Sequence, residues 1–283
     1  MDQSDTPCVR AFYHELSGAV QYVVSDPVTK ESAIIDPVLD FDFASGYFNT
    51  GSADAILDYL CTNALRTRWV LDTHPHTDHV SASSYLSRVT KAPTGIGRDV
   101  LKIQSLWKGM FNASSHRPDG SRWDRLLNHG DTIKIGRFTL TAVAAPGHCS
   151  GSVSYLVGDA AFIHDTMMMP DCGTSRCDLP GGNAIALWHT IQSILLLPQY
   201  TRLFIGHDYR PNGRNAQWET SIRAQAETNV DLVGKDLASF VALRERKDKA
   251  LPLPQLMLAA LQINLDGRPP LTDSGVPTTR PGR

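Results

Sequence analysis

The chain has 283 residues, with 27 Lys and Arg against 29 Asp and Glu, a formal net charge of −2 and 42% hydrophobic residues. A chain this long can bury roughly 75% of its unfolded surface, and without a basic stripe it points away from nucleic acid and anionic membrane and towards a small-molecule substrate. No apolar run reaches the ~18 residues of a membrane span, and the five cysteines are scattered without a Cys-x-x-Cys pair, which argues for a reducing compartment; with no targeting pattern at the start, a cytoplasmic location is expected.

Short strands are expected over Val9–His14, Val20–Ser25 and Ser32–Ile35, the last two joined by the turn DPVTKE. Ser52 is placed to cap a helix carrying Ile56, Leu57 and Leu60 on one face. The run TRWVLDTH reads as a buried strand, and helical patterns follow at Val80–Val89 and Val100–Phe111. Strands resume in TIKIGRFTLTAVAA, where Phe138 and Leu140 alternate with polar residues, and VSYLV and AAFIHD flank Gly158-Asp159, a hairpin signal. Asn183 is placed to cap a helix with Ile185, Trp188, Ile191, Ile194 and Leu195 on one face, stopped near Pro198. RLFIGHDY is a last buried strand, followed by helices near Ala216–Thr228 and Asp236–Lys247. Strands and helices alternate in two successive blocks, so residues 1–265 are expected to form one domain of sheets between helices. The Pro- and Gly-rich stretch 266–283 is expected to fray.

The chemistry concentrates at strand ends. WVLD leads into His74, His76, Asp78 and His79; LTAVAAPGH into His148; AAFIHD into Asp165; RLFIGH into His207. Loops at the ends of sheet strands are where a rigid scaffold converges side chains from distant sequence. Imidazole and carboxylate donors without a cysteine among them suit zinc, iron or manganese rather than a thiolate site. Isolated histidines (His14, His116, His129, His189) are expected to be satisfied core or surface residues, and His164, on a strand next to Asp165, to point to the opposite face. GIGRDV lacks the third glycine of a dinucleotide loop, GHCSGS holds no Gly-x-Ser-x-Gly elbow, and Cys149 is read as a small packed thiol. Arg176 either grips a substrate carboxylate or pairs with Asp178.

THPHTDH, APGH, HDT and GHDY, in this order, resemble the HxHxDH…H…D…H signature of the metallo-β-lactamase fold over about residues 9 to 230. The resemblance implies an α/β protein, a four-layer αββα sandwich with the site along one edge of its two sheets. IIDPVLDFD, DTHPHTDHVSASSYL, FIHDTMMMPDCGTSRCDLPGG and GHDYRPNGR look like the glyoxalase II-like branch and, within it, bacterial-type persulfide dioxygenases. That implies one Fe(II) per chain on His74, His148 and Asp165, oxidising glutathione persulfide with O2 to sulfite and glutathione. His76, Asp78, His79 and His207 would then orient ligands and move protons, with Asp78, His207 and Tyr209 as catalytic candidates and Arg176, Tyr209 and Arg214 holding the glutathione part. Hydrolases of the same fold imply the alternative: two Zn, one on His74, His76 and His148, the other on Asp78, His79 and His207, with Asp165 bridging and a thioester as substrate. Both ligand sets are complete in this chain. His164 stands where relatives usually carry Gly, and Pro75 and Cys149 also depart from the common pattern. A homodimer is expected, with no nucleic-acid or membrane partner.

Overall fold

The computed structural model describes residues 6–111 and 117–266. The expected fraying tail lies, from residue 267 on, outside the described residues, as does His116.

Alternation along the strands decides the layering. One six-stranded sheet has the order β1 (Cys8–Tyr13), β2 (Val20–Ser25), β3 (Glu31–Ile35), β6 (Arg66–Leu71), β8 (Thr94–Gly97) and β9 (Arg125–Leu127). The other has the order β10 (Thr132–Ile135), β11 (Phe138–Ala144), β12 (Val153–Val157), β13 (Ala160–His164), β14 (Arg202–Ile205) and β15 (Glu219–Ser221). Tyr22, Val24, Ala33, Ile35 and Leu71 from the first sheet pack against Leu140, Tyr155, Phe162 and Phe204 from the second. Successive strand side chains face opposite ways, so Val23, Ile34 and Val70 turn outward onto α1 (Gly51–Thr62), α2 (Ser83–Thr90) and α7 (Met257–Asp266). On the other side Ala161, Ile163, Leu203 and Ile205 turn outward onto α4 (Ala184–Leu195), α5 (Ile222–Thr228) and α6 (Leu237–Asp248). Strands buried on both faces explain why the LFI of β14 and the AAFI of β13 read as continuous apolar runs. The result is an αββα sandwich.

At the centre of the inter-sheet core, Tyr22 lies edge-on to Phe162 and Phe204 with ring centroids 5.3 and 5.5 Å away. Each such ring buries about 150–250 Å², a gross gain of about 4–6 kcal/mol at ~25 cal/mol per Å². The sheets are also stitched by hydrogen bonds along the edge where the candidate ligands emerge. Tyr22 Oη donates to the Ile205 carbonyl at 2.5 Å and Tyr155 Oη to the Asp72 carbonyl at 2.8 Å. The Val20 N–H donates to Gly206 O at 2.8 Å and the Val153 N–H to Thr73 O at 2.9 Å.

Local expectations hold in most places and fail where tertiary contacts compete. Asn183 caps α4 through its Oδ1, which accepts the Ala186 N–H at 2.9 Å. The buried stripe of α4 is Leu187, Thr190, Ile191 and Ile194, while Ile185, expected on that face, is exposed. Ser52 does not cap α1: it lies inside the helix, and its N–H and Oγ both donate to Asp40, at 2.8 and 2.6 Å. The expected helix at 80–89 begins as β7 (Val80–Ser81), which pairs with β4 (Val38–Asp42), itself paired with β5 (Tyr47–Asn49). The expected helix from 216 begins as β15, an edge strand. Strands β4, β5, β8 and β9 and helix α7 have no counterpart in the sequence reading.

Gly147 fixes how the loop after β11 seats His148. Its φ is +151°, and a Cβ there would come within 2.4 Å of Leu187 Cα on α4. Gly147→Ala is therefore expected to cost about 2–4 kcal/mol, from overpacking and backbone strain together. Thermal unfolding should show a midpoint lower by several degrees; an unchanged midpoint would mean that the contact yields freely.

Candidate metal centre

The ends of β3, β6, β11, β13 and β14 converge on one buried cluster. Asp36, immediately after β3, is its anchor. Asp36 is 1% exposed and accepts the Thr73 N–H at 2.7 Å, the Thr73 hydroxyl at 2.9 Å and His76 Nε2–H at 3.0 Å. These bonds set ring tautomers. The Thr73 hydroxyl spends its one proton on Asp36, so at its 3.0 Å contact with His74 Nδ1 it accepts. His74 therefore carries its proton on Nδ1 and presents Nε2 as a lone pair. His148 is fixed in the same way: Nδ1–H donates to the Arg176 carbonyl at 2.8 Å. Hydrogen bonds of this kind orient imidazoles for metal binding.

Both Nε2 atoms face one carboxylate oxygen. Asp165 Oδ2 lies 3.7 Å from His74 Nε2 and 3.7 Å from His148 Nε2. His76, Asp78 and His79 form a further donor group, with one atom from each within 4.8 Å of the others. The buried nitrogens His74 Nε2, His76 Nδ1 and His79 Nε2 have no hydrogen-bond partner in the protein. Buried polar atoms left unpaired are costly, and neutral imidazole nitrogens aimed at carboxylates suit a divalent transition metal. The residues present thus fit either one ion or two.

His207 joins the two groups. Nδ1–H donates to Asp165 Oδ1 at 2.7 Å and Nε2 is ion-paired with Asp78 Oδ2. Burial opposes its charged form, yet Asp165 and Asp78 together hold its pKa well above the ordinary histidine value. Burial likewise opposes ionisation of Asp78 and Asp165, but His207 holds both well below the usual carboxylate range. His74 and His76 go the other way: burial, reinforced by neighbouring imidazoles, drives them well below the usual value and keeps them neutral, the form that binds metal. His207 therefore sits between two carboxylates that favour their charged forms.

His164 is a correction to the sequence reading. It does not point away from Asp165. The pairing of β13 with β14 shifts register between Phe162 and His164, and His164 has φ +35°, which rotates its side chain into the cluster. Nε2 lies 3.1 Å from Asp36 Oδ2 and Nδ1 lies 3.3 Å from Asp165 Oδ1. Gly206 makes room for the ring, since a Cβ there would come within 2.4 Å of it. Asp36, also absent from the sequence reading, carried the same signal as the ligands: an acidic residue directly after a buried strand. Asn264 on α7 had no comparable signal. Its Nδ2 donates to the carbonyls of His76 and His79, both at 2.8 Å, and so clamps the ligand loop.

The remaining candidates sit around the centre. Tyr209, exposed, stacks on His207 with centroids 5.9 Å apart. Arg176 pairs with Asp178 through two 2.8 Å bonds and donates to the Pro252 carbonyl. Arg214 is held by Asp171 and Asp208. Cys149 Sγ is 3.2 Å from Ser152 Oγ, and burial pushes its thiol up to about 11, so it is an un-ionised packed thiol at neutral pH. His14 pairs with Asp40 at 3.0 Å. Among the described residues, no helix is long and apolar enough to cross a membrane.

Removing His164 frees one contact of Asp165 and one of Asp36. His164→Ala is expected to weaken metal affinity roughly 10–100-fold, the usual effect of losing a residue that orients ligands. Competition with a chelator of known affinity measures this, and affinity within twofold of the parent would show that the ring is a bystander.

Residues 17–207 match the family described as the metallo-beta-lactamase superfamily. The chain is 51% identical over 262 residues to a beta-lactamase hydrolase-like protein of Xylella fastidiosa, covering 93% of this chain and 61% of that one. It therefore spans about 61% of the length of that relative. A probable metallo-hydrolase of Burkholderia pseudomallei is 39% identical, with 95% of this chain and 96% of that one covered. The human mitochondrial persulfide dioxygenase ETHE1 is 30% identical, covering 71% and 68%. The crystal structure of ETHE1 from Myxococcus xanthus superposes with a TM-score of 0.74 at 28% identity, covering 92% of this chain and all of that one. With its sandwich fold and strand-end His/Asp cluster, the chain belongs to the metallo-beta-lactamase superfamily.

Proposed function

We propose that the chain is a dinuclear metallo-hydrolase of the glyoxalase II type, cleaving a thioester of glutathione or a related acyl compound. One observation carries this reading. Six buried His and Asp side chains and the half-buried Asp78 together make up the two-ion pattern at one edge of the sandwich, in adjoining three-residue donor groups, although a single ion needs only three. His74, His76 and His148 would hold one ion, Asp78, His79 and His207 the other, with Asp165 between them. When bound, such a pair supplies a nucleophilic water at neutral pH and polarises the scissile carbonyl. Asp36 and Thr73 keep His74 and His76 in the tautomers whose free nitrogens would be available to the ions. For His207 to hold an ion its Nε2 would have to lose any proton it carries, so binding would release protons and would weaken as pH falls. Tyr209 stands beside His207, where it can orient the substrate. The hydrolase-like and metallo-hydrolase relatives support the same reading.

A second reading is favoured by a specific contact. Asp165 Oδ1 is taken by His207, which leaves Oδ2 to face His74 and His148. Two imidazoles and one carboxylate suit a single Fe(II) with open positions, as a persulfide dioxygenase would use.

The two readings separate on one anaerobically purified sample. The hydrolase reading expects close to two ions per chain by elemental analysis, cleavage of S-lactoylglutathione, and no oxygen uptake with glutathione persulfide. One iron per chain with stoichiometric oxygen uptake overturns it in favour of the dioxygenase.

A further inference from the structure

The metal centre opens into a cavity of about 1450 Å³. Ligand pockets for small molecules run to roughly 300–1,000 Å³, so the space exceeds what a compact head group needs. Asp78, His79, His148 and Asp165 line it together with two walls from distant parts of the chain. One wall is the β4–β5 hairpin, with Phe41, Phe43 and Tyr47; the other is the stretch 250–256, with Leu251, Leu253 and Leu256. Phe43 is 58% exposed and Leu253 is 64% exposed, so both walls present apolar surface to solvent. The second wall is tied to the centre, because Arg176 donates to the Pro252 carbonyl at 2.8 Å and the Arg176 carbonyl accepts from His148.

The cationic lining is already occupied. Among the described residues that line the cavity, each Lys and Arg side chain has a carboxylate partner: Arg176 with Asp178, Arg244 with Asp248 and Asp231, and Lys247 with Asp231. Of these pairs only those of Arg244 with Asp248 and Asp231 are buried, and an anionic group drawn to Arg244 would have to break them, which is costly. An apolar chain breaks none and covers the exposed rings and leucines.

We infer that the cavity takes an apolar acyl chain, so that the substrate is a thioester carrying a medium- or long-chain acyl group. This rests on the hydrolase reading for the thioester link but not for the apolar subsite. What binds at the metal centre extends into the same continuous cavity, and that continuity assigns the walls to the substrate rather than to a separate partner.

S-butyl, S-octyl and S-dodecyl thioethers of N-acetylcysteamine test the subsite, because they carry the chain but cannot be hydrolysed. Calorimetry on the metal-loaded protein should show affinity rising roughly two- to fourfold per methylene until the cavity is filled. Phe43→Ser and Leu253→Ser should flatten that rise. Equal affinity across the three thioethers overturns the inference. So does a result in which both variants convert a dimer to a monomer while the chain-length dependence is unchanged, since the rim would then belong to a second copy. Hydrolysis of the matching butanoyl, octanoyl and dodecanoyl thioesters is measured in parallel. If neither these thioesters nor S-lactoylglutathione is cleaved while thioether affinity still rises with length, the hydrolase reading fails and the apolar subsite stands.

Discussion

The Asp36 carboxylate is the contact on which the site depends. It is buried between the two sheets, and it receives the Thr73 N–H, the Thr73 hydroxyl and His76 Nε2–H, with His164 Nε2 beside it. An isolated buried carboxylate would be untenable; hydrogen bonds to its charged form are what keep it there. In return it fixes the backbone entry to the THPHTDH loop and the protonation pattern of two imidazoles. The nitrogen lone pairs that His74 and His76 present at the centre follow from that one carboxylate, while the Arg176 carbonyl sets His148 separately.

The rest of the fold makes this arrangement rigid. Cross-sheet bonds from Tyr22, Tyr155, Val20 and Val153 end on Ile205, Asp72, Gly206 and Thr73, residues directly beside the ligands. The core between the sheets and the ligand cluster at their edge are therefore one mechanical unit. Asn264 adds an outside clamp from α7. Chains of packed side chains and hydrogen bonds of this sort let ligands from four strand ends hold a common geometry.

Much of this was legible in the residues. Apolar runs ending in His or Asp located β6, β11, β13 and β14 and the side chains that cluster at their ends; β13 and β14 are buried on both faces and leave the clearest such signature. The same rule applied to SAIID would have found Asp36. His164 was misplaced because alternation assumes an unbroken ladder, and the register shift after Phe162 breaks it. Strands β4 and β5 were missed because Phe41 and Tyr47 sit in short, half-exposed pieces whose pairing comes from each other rather than from a buried core. Helix α7 has its apolar residues spread round the helix, and Asn264 acts only through tertiary contact, which no local pattern reports. One wall of the cavity, the β4–β5 hairpin, belongs to these missed segments, and the other, residues 250–256, runs directly into α7.

Anomalous diffraction from crystals of the metal-loaded protein tests the central claim most directly. The account predicts two peaks, one bounded by His74, His76 and His148 and the other by Asp78, His79 and His207, with Asp165 between them. A single peak bounded by His74, His148 and Asp165, with His207 still paired to Asp78, would contradict it.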